Sequence, residues 1–224
     1  MCYNTQVGFK SINEAVRGLR HTRQYLGGLF VLFSSCALLS SFMLSVDALY
    51  EARHPGEKLV CDINAILSCS TVAASNQAEI LGKIIPFFDG LTVPNAFLGM
   101  IFESVFITIG VLMASSVKLP RWFMTASQVG NFVALLFSCW LFYQSSFVIG
   151  ALCPWCMLLM FSTTFQFFTQ LHFNVLDKKL PLNPRVQDWA THFISAGFEL
   201  MLVVLIVLIL VAIVIFKYQW RLFA

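Results

Sequence analysis

Residues 122–176 read WFMTASQVGNFVALLFSCWLFYQSSFVIGALCPWCMLLMFSTTFQFFTQLHFNVL, 55 residues without Asp, Glu, Lys or Arg. A helix crosses the hydrocarbon core of a bilayer with about 20 apolar residues. The stretch is therefore too long for one crossing and right for two joined by a short turn. Gln144-Ser145-Ser146 and Gly150 mark that turn, which puts the two spans at about 122–144 and 150–173. Both must be helices, because an open strand edge leaves backbone groups unsatisfied in lipid.

Working outward, Leu26 to Val46 is a further charge-free run. Val93 to Val117 follows with Glu103 as its only charge, and Leu200 to Phe216 is charge-free, with a start expected near Phe193. The expected class is an all-α integral membrane protein with five transmembrane helices. Composition agrees: hydrophobic residues are 58% and charged residues 11%, against roughly a quarter charged in a soluble chain. So few charges cannot cover a soluble core. The same figures exclude a disordered chain. The net charge of +3 is too small to argue for a nucleic-acid partner. No internal repeat is evident.

Basic residues set the expected orientation. With the N-terminus in the cytoplasm, the inner side holds Lys10, Arg17, Arg20, Arg23, Lys118, Arg121, Lys178, Lys179 and Arg185, and the outer side holds Arg53, Lys58, Lys83, Lys217 and Arg221. The expected organisation is a cytoplasmic tail at 1–25, a four-helix unit at 26–176 that includes an outer loop at 50–92, a cytoplasmic linker at 177–192, a fifth helix at 193–216 and a C-terminal tail at 217–224. The tail reads as an amphipathic interfacial helix, and nothing in it resembles a cleaved signal peptide. Loops as long as 50–92 are usually functional. The apolar residues from Ser70 to Phe88, interrupted by Gly82 and Pro86, predict one or two short amphipathic helices over the bundle. Pro94 suits a helix start.

Four of the seven cysteines then fall at one membrane face, as Cys61 with Cys69 and Cys153 with Cys156. Cys153-Pro154-Trp155-Cys156 opens an apolar run, and a helix N-terminus stabilises a thiolate. At i and i+3 the two sulphurs are close enough to bridge, so the pair can alternate between dithiol and disulfide. The thioredoxin setting of such a motif, a βαβ unit, is absent. Cys61 and Cys69, with seven residues between them, read alone as a disulfide pinning the loop. Beside an exposed C-x-x-C on the same face the balance tips toward a shuttle exchanging electrons with it.

Four cysteines could also form a zinc site, but the wider pair is long for one, and no histidine lies near either pair. No metal is expected. Cys36 and Cys139, in mid-span, read as buried packing residues. Glu103 is a functional candidate as an intramembrane acid, or a side chain that snorkels outward. His172, near the inner end of its span, reads as interfacial.

The loop Cys61-Asp62-x6-Cys69-Ser70, the segment Pro94-Asn95-Ala96-Phe97-Leu98-Gly99 and the C-x-x-C at the mouth of span four resemble the vitamin K epoxide reductase family in its bacterial form. The resemblance covers about residues 25–175. It implies a four-helix bundle around a quinone, with the fifth helix peripheral. It implies catalytic roles for Cys61 and Cys69 as shuttle pair and for Cys153 and Cys156 as quinone-proximal pair, with Asn95 and Cys156 contacting the quinone. The implied activity is that of a DsbB-like thiol:quinone oxidoreductase of the bacterial cytoplasmic membrane. It would reoxidise a DsbA-like or thioredoxin-like extracytoplasmic protein and pass the electrons to menaquinone or ubiquinone, in support of disulfide bond formation. Some bacterial members carry a fused thioredoxin-like domain. This sequence ends at Ala224, so the partner is expected to be separate. Animal members carry Tyr four residues after the motif, where this sequence has Met160. That departure weighs against the alternative of epoxide reduction driven by a reducing partner. The non-enzyme alternative is a cysteine-lined metal transporter or redox sensor.

Overall fold

Helix starts in this protein are set largely by proline. The computed structural model describes residues 22–59, 61–63, 67–75 and 94–218. Cys2, Lys10, Arg17, Arg20, Lys83, Arg221 and most of the expected loop helices lie outside those residues. The described helices are α1 (Arg23–Arg53), α2 (Cys69–Ala73), α3 (Asn95–Ala114), α4 (Arg121–Tyr143), α5 (Pro154–Leu176), α6 (Pro184–Ser195) and α7 (Phe198–Tyr218). Pro94 and Pro120 occupy the N-cap positions of α3 and α4, and Pro154 and Pro184 open α5 and α6. A fixed φ and a missing N–H suit proline to these places. Among the described residues no strand forms beyond one isolated bridge.

Four helical stretches are long and apolar enough to cross a membrane: Arg23–Arg53, Asn95–Ala114, Arg121–Ile149 and Phe198–Tyr218. The all-α membrane class therefore holds. The remaining expected crossing, span four, is α5, 23 residues long and uncharged, but Ser162, Thr163, Thr164, Gln166, Gln170, His172 and Asn174 make it polar. All seven are buried, because α5 is the central helix, packed against α1, α4, α6 and α7.

α1 packs along both α3 and α5, and α4 packs on α5, whereas α3 and α4 scarcely touch. The bundle thus runs α3, α1, α5, α4, with a gap between its two ends. Small residues let α1 and α3 close up. A Cβ on Gly27 would lie 2.3 Å from the Ala114 backbone nitrogen, and one on Gly110 would lie 2.7 Å from Val31. Amides hold α4 to α5: Asn131 Nδ2 donates to Gln170 Oε1 at 2.8 Å, and Asn174 Nδ2 donates to Gln128 Oε1 at 2.9 Å. An apolar plug of Leu26, Phe30, Phe106, Ile109, Met113, Met124 and Phe173 fills one end of the bundle. At that end Arg23 pairs with Asp177 at 2.8 Å, and Lys179 Nζ donates to the Leu119 carbonyl at 2.8 Å.

Several expectations are corrected. The polar cluster Gln144-Ser145-Ser146 is not a turn. α4 continues through it as a π-helical turn, Gln144–Ile149, which ends at Gly150 with φ of 78°. A π turn misaligns carbonyls, and here Lys217 Nζ and Tyr218 Oη of α7 both donate to the Ser146 carbonyl. The stretch 177–192 is not all linker, since Asn183 and Pro184 start the amphipathic helix α6. The last helix begins at Phe198, not near Phe193, after Gly197 with φ of 82°. His172 is not interfacial. It is 2% exposed and its Nδ1 pairs with Glu199 Oε1 of α7. Cys139 is exposed on the outer face of α4 and Cys36 is half-buried, so neither is the buried packing residue expected.

Candidate active site

The site is assembled where the loop after α1 meets the start of α5. Cys61 and Cys69 form a disulfide, with Cα atoms 5.7 Å apart. Asp62, between them in sequence, organises the loop. Its Oδ2 accepts the Leu59 N–H at 2.9 Å and its Oδ1 accepts the Ser70 N–H at 3.1 Å. Partial burial pushes the Asp62 carboxyl up, but hydrogen bonds from Ser70, Leu59 and Ser68 outweigh it and hold the pKa at about 2. Ser68 caps the short helix α2 by accepting the Thr71 N–H. Leu67 pairs with Leu152 in an isolated parallel bridge, and the Ser68 N–H donates to the Leu152 carbonyl at 3.0 Å. The loop is thereby fastened to the residue preceding Cys153.

That fastening sets the central distance. Cys69 Sγ lies 3.4 Å from Cys153 Sγ, both side chains being buried. Cys153 is the N-cap of α5, with extended backbone, and stands just outside the helix. Its pKa is lowered, first by the Cys156 thiol, which donates to it, and then by the backbone N–H groups of Cys156 and Trp155. Cys156, one turn into α5, is a free thiol packed against the Cys69 and Cys153 cluster.

Cys156 lines a cavity of about 420 Å³. Leu44, Phe102, Val133, Phe137, Leu141 and Leu159 give it apolar walls, and Asn95, Glu103, Thr163 and Cys69 add polar atoms. Its walls join Phe102 of α3 to Val133 and Phe137 of α4 across the gap between those two helices. An apolar chamber with a few polar groups and a lateral gap suits a flat lipid-soluble ring with oxygens at its rim. The buried Glu103 Oε2, which has no hydrogen-bond partner, is one such group. Residues at this cavity therefore fit a quinone.

All four cysteines and Asn95 converge here. Asn95 is not the N-cap of α3 but its first helical residue, since Pro94 holds the cap position. Met160 lies away from the cavity, in a cluster with Phe142 and Leu152. Sequence reasoning missed Asp47, whose Oδ2 lies 3.3 Å from Cys61 Sγ. Its only sequence signal is its position, directly after the first apolar run. Asp47, Cys61 and Cys69 could offer ligand atoms within 4.8 Å of one another, but the two sulphurs are bonded to each other.

The Cys61–Cys69 disulfide and the Cys153, Cys156 pair thus lie together beside an apolar cavity. The model of the vitamin K epoxide reductase family matches residues 29–171. The chain belongs to that family of membrane, quinone-linked thiol oxidoreductases.

Proposed function

We propose that this protein takes electrons from a reduced DsbA-like or thioredoxin-like extracytoplasmic protein and passes them to a membrane quinone, supporting disulfide bond formation. The observation that carries the reading is the sulphur chain: the Cys61–Cys69 disulfide, the 3.4 Å contact from Cys69 to Cys153, and Cys156 at the apolar cavity. A quinone supplies an acceptor for two electrons and two protons.

The residues divide the work. A thiolate of the partner attacks Cys61, the more distal loop sulphur, and Cys69 leaves. The partner's second thiol then attacks the mixed disulfide, freeing Cys61 and releasing the partner oxidised. Cys69 attacks Cys153 of the oxidised C-x-x-C pair, Cys156 leaves, and Cys61 closes on Cys69. The loop disulfide is restored and the C-x-x-C pair is reduced, which is the redox state of this structure. The lowered pKa of Cys153 keeps it a good leaving group in that step. Cys156 then faces the ring, and Asn95 donates its amide to a ring oxygen that gains charge. Partner dithiol plus quinone become partner disulfide plus quinol.

Charge supports the cytoplasmic membrane and the outward face. Arg23, Lys118, Arg121, Lys178, Lys179 and Arg185 gather at the end away from the cysteines. The described basic residues at the cysteine end are Arg53, Lys58 and Lys217. The basic end belongs inside.

The test is anaerobic oxidation of a reduced thioredoxin-like protein by the purified chain. Short-chain ubiquinone or menaquinone analogues serve as acceptors, and quinone absorbance is followed. One quinone should be consumed per dithiol, with none consumed by Cys156→Ala. Thiol oxidation indifferent to quinone would defeat the reading.

A further inference from the structure

Glu103 is the acid the relay leaves unused. It sits two turns into α3, is 3% exposed and lines the same cavity as Cys156 and Asn95. None of the ion pairs among the described residues includes it, and its Oε2 has no hydrogen-bond partner. The fully buried Gln166 side chain of α5 is a hydrogen-bonding neighbour of the Glu103 carboxyl. Like Glu103 Oε2, Ser41 Oγ on the cavity wall is buried without a partner. Buried polar atoms are rarely left so. Two such atoms on the wall of one chamber, Glu103 Oε2 and Ser41 Oγ, mark a place where a polar ligand group belongs. A carboxyl without a cation nearby costs far less there neutral than charged.

Spacing says which ligand group. Asn95 and Glu103 are eight residues apart on α3, about 12 Å along the helix at 1.5 Å per residue. A para-quinone ring, roughly 5 Å between oxygens, with a hydrogen bond of about 2.8 Å at each end, spans on the order of 11 Å. A ring lying along the α3 wall would therefore bring one oxygen to Asn95 and the other to Glu103.

We propose that Glu103, as a neutral acid, hydrogen-bonds the second of these quinone oxygens and donates the proton it acquires on reduction. This rests on the quinone-reducing role proposed above. The balance is simple. Cys153 and Cys156 lose two electrons and two protons as their S–S bond forms. Glu103 gives one proton to that oxygen and recovers one released by the thiols, and the second thiol proton reaches the other oxygen. The sum is dithiol plus quinone to disulfide plus quinol, with Glu103 unchanged.

The experiment uses the full chain and a short-chain ubiquinone analogue. Its readouts are the infrared difference spectrum on adding quinone to the fully oxidised protein, the rate of a single quinone turnover by the reduced protein, and the rate of loop-to-C-x-x-C exchange without quinone. The wild type should show a protonated-carboxyl band that shifts on quinone addition. Glu103→Gln, which keeps the size and a hydrogen-bond donor, should lose that band. It should also slow the turnover by about 10² to 10³, within the usual range for a lost general acid, and leave the exchange rate unchanged. Glu103→Asp, which keeps an acid, should recover at least tenfold over Glu103→Gln. Slowed turnover with no shifting band in the wild type, a lost band with normal turnover, or Glu103→Asp no faster than Glu103→Gln would each overturn the proposal. A wild type that exchanges thiols yet reduces no quinone would instead overturn the function on which it rests.

Discussion

Asp62→Asn should loosen the loop that presents Cys69 without unfolding the bundle. The carboxylate accepts two backbone N–H groups, from Leu59 on one side of Cys61 and from Ser70 beyond Cys69. Asparagine keeps the size but has one acceptor oxygen, so one N–H would face an amide NH2 instead. The fall of the Asp62 pKa from 3.8 to about 2 corresponds to roughly 2 kcal/mol at 1.36 kcal/mol per unit. The side chain is partly exposed, and solvent screening leaves about 1 kcal/mol. Local opening of the loop should rise about fivefold. Hydrogen exchange read by mass spectrometry should show the Leu59 and Ser70 amides exchanging faster by that factor, with α1 and α5 unchanged. Because the folded pKa lies below the ordinary one, the stabilisation is complete above about pH 4 and is lost as pH falls through about 2. Wild-type loop exchange, corrected for its intrinsic pH dependence, should follow that curve. Unchanged amides in Asp62→Asn, or acceleration spread evenly over the whole chain, would refute the claim that this carboxylate holds the loop.

With Cys61 and Cys156 both replaced by Ser, oxidation should form a Cys69–Cys153 bridge, detectable by peptide mass. The sulphurs start 3.4 Å apart, about 1.4 Å from bonding distance. A preference for Cys69–Cys156 in the Cys61→Ser, Cys153→Ser protein would reverse the assigned order. Asn95→Asp should keep the protein folded and slow quinone reduction by about 10² to 10³, since an ionised acid cannot donate to an oxygen gaining charge. Near-normal turnover would remove Asn95 from the quinone. Gly27→Val should cut the yield of folded protein and lower its melting temperature in detergent. Its Cβ would meet the Ala114 backbone at 2.3 Å, a contact that backbone alone can relieve. An unchanged melting temperature would show that α1 and α3 are not packed this closely.

The helical membrane class was readable from charge-free run lengths, because lipid admits few alternatives for such runs. That the two cysteine pairs meet at one end of the bundle followed from their placement relative to the apolar runs. Other features were not readable, and the reasons are local. Gln144, Ser145 and Ser146 carry a turn-like composition, yet stay helical because Lys217 and Tyr218, more than 70 residues away, cap the carbonyl that the π turn frees. His172 looked interfacial because nothing near it in sequence shows that Glu199 lies opposite. Asp47 was hidden for the same reason, since its neighbour Cys61 is 14 residues on, across a helix end.

Those long-range contacts bear on how one short motif serves two surfaces. Cys153 and Cys156 placed wholly inside a helix would share a face and compete for the same neighbour. Pro154 at the first helical position leaves Cys153 in extended backbone before it, so its sulphur turns toward Cys69 while Cys156 turns into the cavity. The backbone pairing of Leu67 and Ser68 with Leu152 then fixes the loop against that extended residue. The separation of the Cys153 contact with Cys69 from the Cys156 position at the cavity thus depends on where the helix begins. A change that drew Cys153 into the helix would break its contact with Cys69, and with it the proposed relay, while keeping all four cysteines.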